Sequence, residues 1–292
     1  MRPGTWIALA MTPLLATPRA ERPNLHPAAT SSLVVTVEWL SAHQDDPDLV
    51  ILELVEDADY KSGHIRRARQ TDAMAFHSMG TAFPPPSHYV ASLEALGISN
   101  TSKVVLVGDY MSTSTTWVIF EWAGLGDQAY VLDGGKQAWK DAGQPLTTET
   151  PSYLKGKFAP RAREGMLIDG PTITLFLGNP RLALIDARSP GEFAGTGGSE
   201  SPGHIPGAVN LDWVATFDGT GRLLPEPALR ELFVKAGYAP GDQLVVYCTV
   251  GMRASHLYFV ARYLGYQPQL YLGSMNDWLS RSERPVARGS AN

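Results

Sequence analysis

The chain has 292 residues, a formal net charge of -5, and 44% hydrophobic against 18% charged residues. At roughly 100–200 residues per domain, this length predicts two domains, each large enough to bury a core. The mildly acidic charge gives no electrostatic basis for binding nucleic acid or an anionic membrane. A single cysteine excludes an intramolecular disulfide.

The first twenty residues have the features of a secretory signal. Arg2 supplies a basic start, Thr5 to Ala16 is a short apolar run, and small residues follow near Ala20. The run is shorter than the roughly 20 residues that span a bilayer, which favours a cleaved signal peptide over an anchor. We therefore expect a periplasmic or secreted protein; an N-terminal extension on a cytoplasmic protein is the alternative.

Six short apolar runs follow along the chain and predict buried strands. They cover Leu49–Leu52, Val104–Val107, Tyr130–Leu132, Leu182–Ile185, Leu244–Tyr247 and Leu270–Leu272. Apolar residues at helical spacing predict a helix over Ala254–Leu264. Short continuous strands that alternate with helices are typical of an α/β fold, with a parallel sheet covered on both faces.

The chain also repeats itself. Matching glycines and tryptophans recur at one constant separation, as in the pairs Gly126 and Gly265, Gly134 and Gly273, and Trp139 and Trp278. Extra residues in the second copy lie in a glycine- and serine-rich stretch at about 195–201. A repeat of this length indicates a duplicated domain. We predict a first copy at 32–148, an extended linker at 149–166 and a second copy at 167–288.

The lone cysteine lies where the second copy should do chemistry. Cys248 ends a predicted strand and begins the loop Cys-Thr-Val-Gly-Met-Arg, after which a helix starts near Ala254. Ligands of open α/β sheets bind beyond the carboxyl ends of the strands. There the helix N-terminus and curled loop amides attract an anion, Gly251 permits positive φ, and Arg253 adds a permanent charge. These features favour a nucleophilic thiolate at Cys248.

The length of this loop bears on which chemical group Cys248 transfers. Cysteine phosphatases place five residues between the Cys and the Arg, whereas here four separate Cys248 from Arg253. The smaller loop suits one transferred sulfur atom better than a phosphoryl group. A phosphatase or arsenate reductase on the same fold is thus a less favoured alternative.

The motifs together resemble the tandem-domain rhodanese family of thiosulfate and 3-mercaptopyruvate sulfurtransferases. The resemblance covers roughly residues 33–287 and rests on four stretches. These are Asp186-Ala-Arg-Ser-Pro-Gly-Glu192-Phe, Gly203-His-Ile-Pro-Gly-Ala208, Val246-Tyr-Cys-Thr-Val-Gly-Met-Arg-Ala-Ser255, and Leu132-Asp-Gly-Gly135 with Trp139. It implies two rhodanese folds, a catalytic second copy and an inactive first copy, in which Gly108 or Asp109 stands where the second has Cys248. The stretch that follows in the first copy, Tyr110–Thr116, is expected to be a loop without a cysteine or an arginine.

The resemblance also implies roles for individual residues. Cys248 is the expected nucleophile, and Arg188 the expected partner of the anionic donor, in preference to an ion pair with Glu192. The expected substrate-binding loop consists of Thr249, Val250, Gly251, Met252 and Arg253. Asp186 is expected to fix its loop by hydrogen bonds, with Arg188 as a candidate partner.

Other polar and aromatic candidates are weaker. His64 and His204 lie in Gly-His-Ile turns and are expected to bond to backbone, although a proton relay in some relatives gives His64 a second interpretation. The seven His residues show no metal-ligand spacing. Trp139 and Trp278 are expected in the core.

The expected reaction is a two-step sulfur transfer through a Cys248 persulfide, with thiosulfate as donor and cyanide or a thiol as acceptor. It requires no metal or organic cofactor. 3-Mercaptopyruvate is the alternative donor, because the loop matches neither the mercaptopyruvate-type nor the vertebrate thiosulfate-type pattern. A non-catalytic persulfide carrier that serves a partner protein is the alternative of another class.

Overall fold

The computed structural model describes residues 32–76, 80–196 and 202–289. Within them, all strand pairings between named strands are parallel and form two sheets. The predicted signal segment at 1–20 lies outside the described residues, as does most of the glycine- and serine-rich stretch at 195–201.

The first sheet has five strands in the order β1-β5-β4-β2-β3. Its strands are β1 (Val34–Val35), β2 (Leu49–Leu54), β3 (Arg69–Thr71), β4 (Lys103–Val107) and β5 (Ala129–Leu132). The helices of this half are α1 (Val37–His43), α2 (Asp57–Ser62), α3 (Val90–Ala95), α4 (Tyr110–Ala123) and α5 (Gly135–Asp141).

The second sheet has four strands in the order β7-β6-β8-β9. They are β6 (Leu182–Asp186), β7 (Val209–Asn210), β8 (Gln243–Tyr247) and β9 (Pro268–Leu270). The helices are α6 (Gly170–Phe176), α7 (Pro190–Ala194), α8 (Glu226–Lys235), α9 (Met252–Tyr263) and α10 (Ser274–Leu279), and a 3-10 helix covers Trp213–Thr216. The central pair of each sheet, β2 with β4 and β6 with β8, repeats the same arrangement.

The α/β prediction is confirmed, with small shifts at the ends of elements. The largest shift concerns the strand predicted at Leu270–Leu272, which is observed at Pro268–Leu270. Its last pairing with β8 joins Leu270 to Val246. The predicted helix at Ala254 begins two residues earlier, at Met252. The linker stretch contains no helix or strand at 149–163 and lies along the first copy, where Gly156 N–H donates to the Glu94 carbonyl.

The two copies share one apolar core. Alternate residues of β2 face opposite sides of the sheet, with Val50 and Leu52 in a cluster that also contains Val246 and Leu257 of the second copy. Ile51 belongs to a separate cluster on the other face. Helices α4 and α9 pack against each other at the centre of the shared core. The second copy is therefore held against the first by buried apolar surface, the dominant stabilising contribution in folding.

A buried ionic group joins the same two helices. Glu121 of α4 accepts hydrogen bonds from Arg262 Nε at 2.9 Å and Tyr258 Oη at 3.2 Å, both on α9. Arg163 Nε lies 2.9 Å from the same carboxylate oxygen. Burial raises the pKa of Glu121, and the two arginines oppose that shift. Removing one partner would leave a buried charge uncompensated, so this group fixes how the copies meet.

Candidate active site

Cys248 lies directly after β8, a central strand of the second sheet. Its side chain is buried, with the residue only 1% exposed. The apolar run of β8 places it there, since the strand is covered on both faces and the chain must leave at its carboxyl end. The thiol thus lies at the sheet edge where ligands of parallel sheets bind.

The loop after Cys248 curls back on the sulfur. Gly251 N–H donates to Cys248 Sγ across 3.1 Å, and α9 begins at the next residue. Gly251 has φ +93°, and a Cβ atom there would lie 2.8 Å from the Leu272 carbonyl oxygen. Both the backbone angle and the close approach require glycine. The predicted positive φ at Gly251 is confirmed.

The loop leaves several amides available. Among the described residues, the backbone N–H groups of Thr249, Val250, Met252 and Arg253 donate to no acceptor. The loop carbonyls face elsewhere, since those of Cys248 and Thr249 accept from Met275 N–H at 3.0 Å and Asn276 N–H at 3.1 Å. Amides next to a helix N-terminus form a concavity suited to negative charge, such as a thiolate or persulfide.

Ser274 holds the cysteine backbone in place. Its Oγ accepts from Cys248 N–H at 3.1 Å and donates to the Tyr271 carbonyl at 2.8 Å. Ser274 is fully buried and has φ +54°, an unusual angle for a residue other than glycine. The matching residue of the first copy is Gly135, with φ +57°. Ser274 was not predicted from the sequence; its alignment with Gly135 was the available signal.

Arg253 is paired rather than free. Its Nη1 and Nη2 donate to the two carboxylate oxygens of Glu192 at 2.7 and 2.8 Å, and Nη2 also donates to Thr249 Oγ1 at 2.7 Å. The hydrogen bond from Arg253 lowers the pKa of Glu192 to about 2. The loop and α7 are thereby joined by a two-pronged ion pair. The spacing Ser189-x-x-Glu192, a helix-capping pattern, could have drawn attention to Glu192.

Arg188 is also paired, but with a different carboxylate. The residue is 1% exposed; its Nε and Nη2 donate to Asp186, and Nη2 donates to the Gly203 carbonyl at 2.7 Å. The predicted hydrogen bond from Arg188 to Asp186 is present. Contact of Arg188 with an anionic donor stays a prediction, and its buried contacts favour a structural role.

The first copy supports that structural role with a different cation. Lys136 Nζ lies 3.3 Å from the buried Glu53 and donates to the Gly63 carbonyl at 3.0 Å. Glu53 and Gly63 correspond to Asp186 and Gly203 of the second copy. A buried cation that joins these two positions is therefore present in both copies, including the one without a thiol.

The turn histidines bond to the backbone, as expected. His204 Nδ1 lies 2.8 Å from the Phe193 carbonyl, and its ring stacks on Phe193. His64 lies between the Tyr60 and Glu149 carbonyls at 3.0 and 3.1 Å and stacks on Tyr60. Both ring nitrogens of His64 are therefore occupied, which argues against the relay interpretation. Trp139 and Trp278 are buried.

His256 was not predicted from the sequence. It is completely buried on α9, with Nδ1 3.0 Å from Ser114 Oγ of the first copy and Nε2 2.8 Å from Thr216 Oγ1. Thr216 Oγ1 donates to the Trp213 carbonyl, so its hydroxyl accepts the proton of Nε2. Burial lowers the pKa of His256 to about 3, which keeps the ring neutral. It links α4 to the Trp213–Thr216 segment beside β6.

The first copy has no comparable loop. Only Gly108 and Asp109 separate β4 from α4, and the stretch Tyr110–Thr116, expected from the sequence to be a loop, is the first half of that helix. Asp109 caps α4 by accepting from Ser112 N–H at 3.0 Å. The prediction of a loop there was wrong, because the helix begins earlier than in the second copy.

The family model of the rhodanese-like domain matches this chain twice, over residues 36–142 and 174–281. The chain belongs to the rhodanese family. The first match covers β2 to β5 of the first sheet and the second covers all four strands of the second sheet, so the duplication seen in the sequence is a duplication of the rhodanese domain.

Relatives within the rhodanese family carry different names. The chain is 34% identical to a probable 3-mercaptopyruvate sulfurtransferase of Pseudomonas aeruginosa, covering 89% of this chain and 99% of that protein. It is 32% identical to the sulfur carrier protein TtuD of Thermus thermophilus, covering 89% and 98%. It is 30% identical to a thiosulfate sulfurtransferase of Corynebacterium glutamicum, covering 94% and 97%.

Solved structures share the rhodanese fold. The 3-mercaptopyruvate sulfotransferase SseA of Escherichia coli matches with a TM-score of 0.73 at 22% identity, over 84% of this chain and 99% of that one. An anaerobic ergothioneine biosynthesis enzyme of Chlorobium limicola matches with a TM-score of 0.78 at 23% identity, over 89% and 71%. At these identities the likeness concerns the fold.

Two kinds of feature are absent from the described residues. In the part of the chain that the structure describes, no group of three or more His, Cys, Asp or Glu residues could hold a metal ion. Among the same residues, no helix is both long and apolar enough to cross a membrane.

Proposed function

We propose that this protein is a thiosulfate sulfurtransferase that carries sulfur as a persulfide on Cys248. The observation that carries the proposal is the placement of the only thiol at the carboxyl end of β8, 3.1 Å from the Gly251 amide and within a loop of unpaired amides. These amides offer hydrogen bonds to a transferred sulfur that bears negative charge.

The reaction has two balanced steps. The Cys248 thiolate attacks the outer sulfur of thiosulfate; the bond between the two donor sulfurs breaks, and sulfite leaves with the electron pair. The terminal sulfur of the new persulfide carries the negative charge. Cyanide or a thiolate then attacks that sulfur, and the electron pair of the broken bond returns to Cys248.

Mass spectrometry of the intact protein tests the first step. After incubation with thiosulfate and removal of the excess, wild type should gain one sulfur atom, which cyanide should remove. Cys248→Ser is the matched control, because it lacks any thiol and should gain nothing. A wild-type protein that gains no sulfur, or a Cys248→Ser variant that turns over thiosulfate as fast as wild type, contradicts the proposal.

3-Mercaptopyruvate is a second candidate donor. It is favoured by the pairing of Arg253 with Glu192, which removes the free positive charge expected to attract a dianion, and by the relative of that name. Comparing kcat/KM for thiosulfate and 3-mercaptopyruvate, each with cyanide as acceptor, decides between the two donors. A higher value for 3-mercaptopyruvate would replace thiosulfate in the proposal.

A persulfide carrier for a protein acceptor is the candidate of another class. It is suggested by the relative named as a sulfur carrier. A carrier would gain sulfur on Cys248 yet turn over poorly with cyanide or small thiols. Single-turnover loading compared with steady-state turnover distinguishes the two roles.

We also propose that residues 1–20 direct export, on the basis of Arg2 and the apolar run from Thr5 to Ala16. N-terminal sequencing of the protein recovered from separated periplasmic and cytoplasmic fractions tests this. A cytoplasmic protein that retains its first residues contradicts it.

A further inference from the structure

Arg253, at the end of the loop that begins at Cys248, is already paired with a carboxylate. Arg253 and Glu192 form two hydrogen bonds of 2.7 and 2.8 Å, one from each terminal nitrogen to each oxygen. The side chains are 23% and 24% exposed, so the pair lies at the mouth of the site rather than in the core. A bidentate pair at this depth is less screened by solvent than a surface pair.

Glu192 is held in position by its own helix as well as by Arg253. Ser189 Oγ donates to Glu192 Oε2 at 2.7 Å, and Ser189 N–H donates to the same oxygen at 3.1 Å. Glu192 N–H in turn donates to Ser189 Oγ, which completes the capping box of α7. The carboxylate therefore faces the loop because α7 begins where it does, and its position does not depend on Arg253 alone.

Three other described charged side chains near this pair, Arg188, Asp186 and Asp212, do not restore a positive charge. Arg188 is cancelled by its buried partner Asp186. Asp212, which follows β7, interacts electrostatically with both Arg253 and Glu192. Among these described side chains, two arginines are balanced by three carboxylates, so we attribute the attraction for an anion to the partial charges of the loop amides and the start of α9.

We propose that Glu192 is a specificity-determining residue that limits the preference of this site for a doubly charged sulfur donor over a singly charged one. The inference rests on the proposed sulfur transfer at Cys248. Coulomb energy is proportional to the charge of the ligand. The free energy of binding that is lost when Arg253 is neutralised is therefore twice as large for a dianion as for a monoanion. Thiosulfate is a dianion at neutral pH, and 3-mercaptopyruvate carries one carboxylate.

The substitution Glu192→Gln tests this at nearly constant size. Glutamine also serves in capping boxes, so α7 should keep its first turn. We expect kcat/KM to rise about tenfold for thiosulfate and about threefold for 3-mercaptopyruvate. The gain in electrostatic free energy should be twice as large for the dianion, so the logarithm of its rate factor should be about twice that of the monoanion. The rise for thiosulfate should shrink as salt is added.

Glu231→Gln is the matched control. It makes the same change of charge on α8, where Glu231 pairs only with the exposed Lys235 among the contacts described. We expect kcat/KM to stay unchanged for both donors in this variant. A rise similar to that of Glu192→Gln would mean that net charge, and not the position of Glu192, sets the preference.

Other outcomes overturn the inference. Equal factors for the two donors, or a fall for thiosulfate, would show that Glu192 matters for structure and not for charge. If Glu192→Gln does not fold, the salt dependence of wild type decides: kcat/KM for thiosulfate should fall only weakly with ionic strength, and a steep fall contradicts a neutralised Arg253. Failure of the proposed function is distinguishable, because wild type would then gain no sulfur on Cys248.

Discussion

Replacing Ser274 should separate the stability of this protein from its activity. The Ser274 hydroxyl is buried between Cys248 N–H and the Tyr271 carbonyl, at 3.1 and 2.8 Å. Ser274→Ala leaves both backbone groups unpaired and keeps the left-handed backbone, which should lower the free energy of unfolding by about 1–3 kcal/mol. Ser274→Gly loses the same hydrogen bonds but relieves the strained angle, which restores about 1 kcal/mol.

The expected order of stability is therefore wild type, then Ser274→Gly, then Ser274→Ala, while both variants lose the bond that positions the cysteine amide. We expect kcat/KM for sulfur transfer to fall about tenfold in both, because a misplacement of about 1 Å can cost about a hundredfold and the loss of one hydrogen bond should move the cysteine by less than that. Urea unfolding followed by tryptophan fluorescence measures stability, and thiosulfate–cyanide turnover measures activity. Equal stabilities of the Ala and Gly variants would refute the strain argument, and an activity that follows the order of stability would refute the positioning role.

Three further predictions follow from buried contacts. Glu121→Ala removes the buried carboxylate that Arg262 bonds to, so the free energy of unfolding measured with urea should fall by about 3 kcal/mol. Loss of the exposed Glu231–Lys235 pair should cost under about 1 kcal/mol, and equal losses for the two pairs would contradict this reasoning. Gly251→Ala places a Cβ atom against the Leu272 carbonyl, so thiosulfate–cyanide turnover should fall at least tenfold, and a fully active variant would contradict the described loop. The pKa of His256 is about 3 in the folded state, below its unfolded value, so the unfolded chain binds more protons and the free energy of unfolding should fall as pH drops from about 6.5 towards 3. His256→Gln should lose this pH dependence, as measured by urea midpoints. A pH dependence equal to that of wild type would contradict a neutral buried ring.

Much of the fold follows from local patterns in the sequence. The apolar runs of β2, β4, β6 and β8 are continuous because these strands are covered on both faces, and such runs are visible without a structure. The same reasoning places Cys248 beyond the end of β8. The end of β9 could not be predicted in this way, because the apolar run continues past Leu270. Leu272 of that run packs against Gly251 of the loop and does not extend the strand.

The charges of the site could not be predicted in this way. The sequence offers Arg188, Arg253, Asp186 and Glu192, and chemical type alone does not determine which arginine pairs with which carboxylate. The pairing depends on where α7 begins relative to the loop, which is a matter of a few ångströms between elements distant in sequence. The ion pair between Arg188 and Glu192, which was the less favoured alternative from the sequence, is not formed: Glu192 bonds to Arg253 and Asp186 bonds to Arg188.

The two copies show what this site requires beyond a thiol. Between β8 and α9 the chain inserts Cys248–Gly251, in which the Thr249 and Val250 amides donate to no described acceptor and the Gly251 amide donates to the sulfur. The shorter connection in the first copy instead lets Asp109 cap α4 with its own carboxylate. A cavity of about 330 Å³ persists at that end of the first sheet, but acidic side chains contribute to its lining: Glu56, Asp59, Asp72 and Asp109. An anionic donor would meet carboxylates there and amides in the second copy. A cysteine alone at Gly108 would therefore not create a second site, because the amides that stabilise a charged sulfur come from the longer loop.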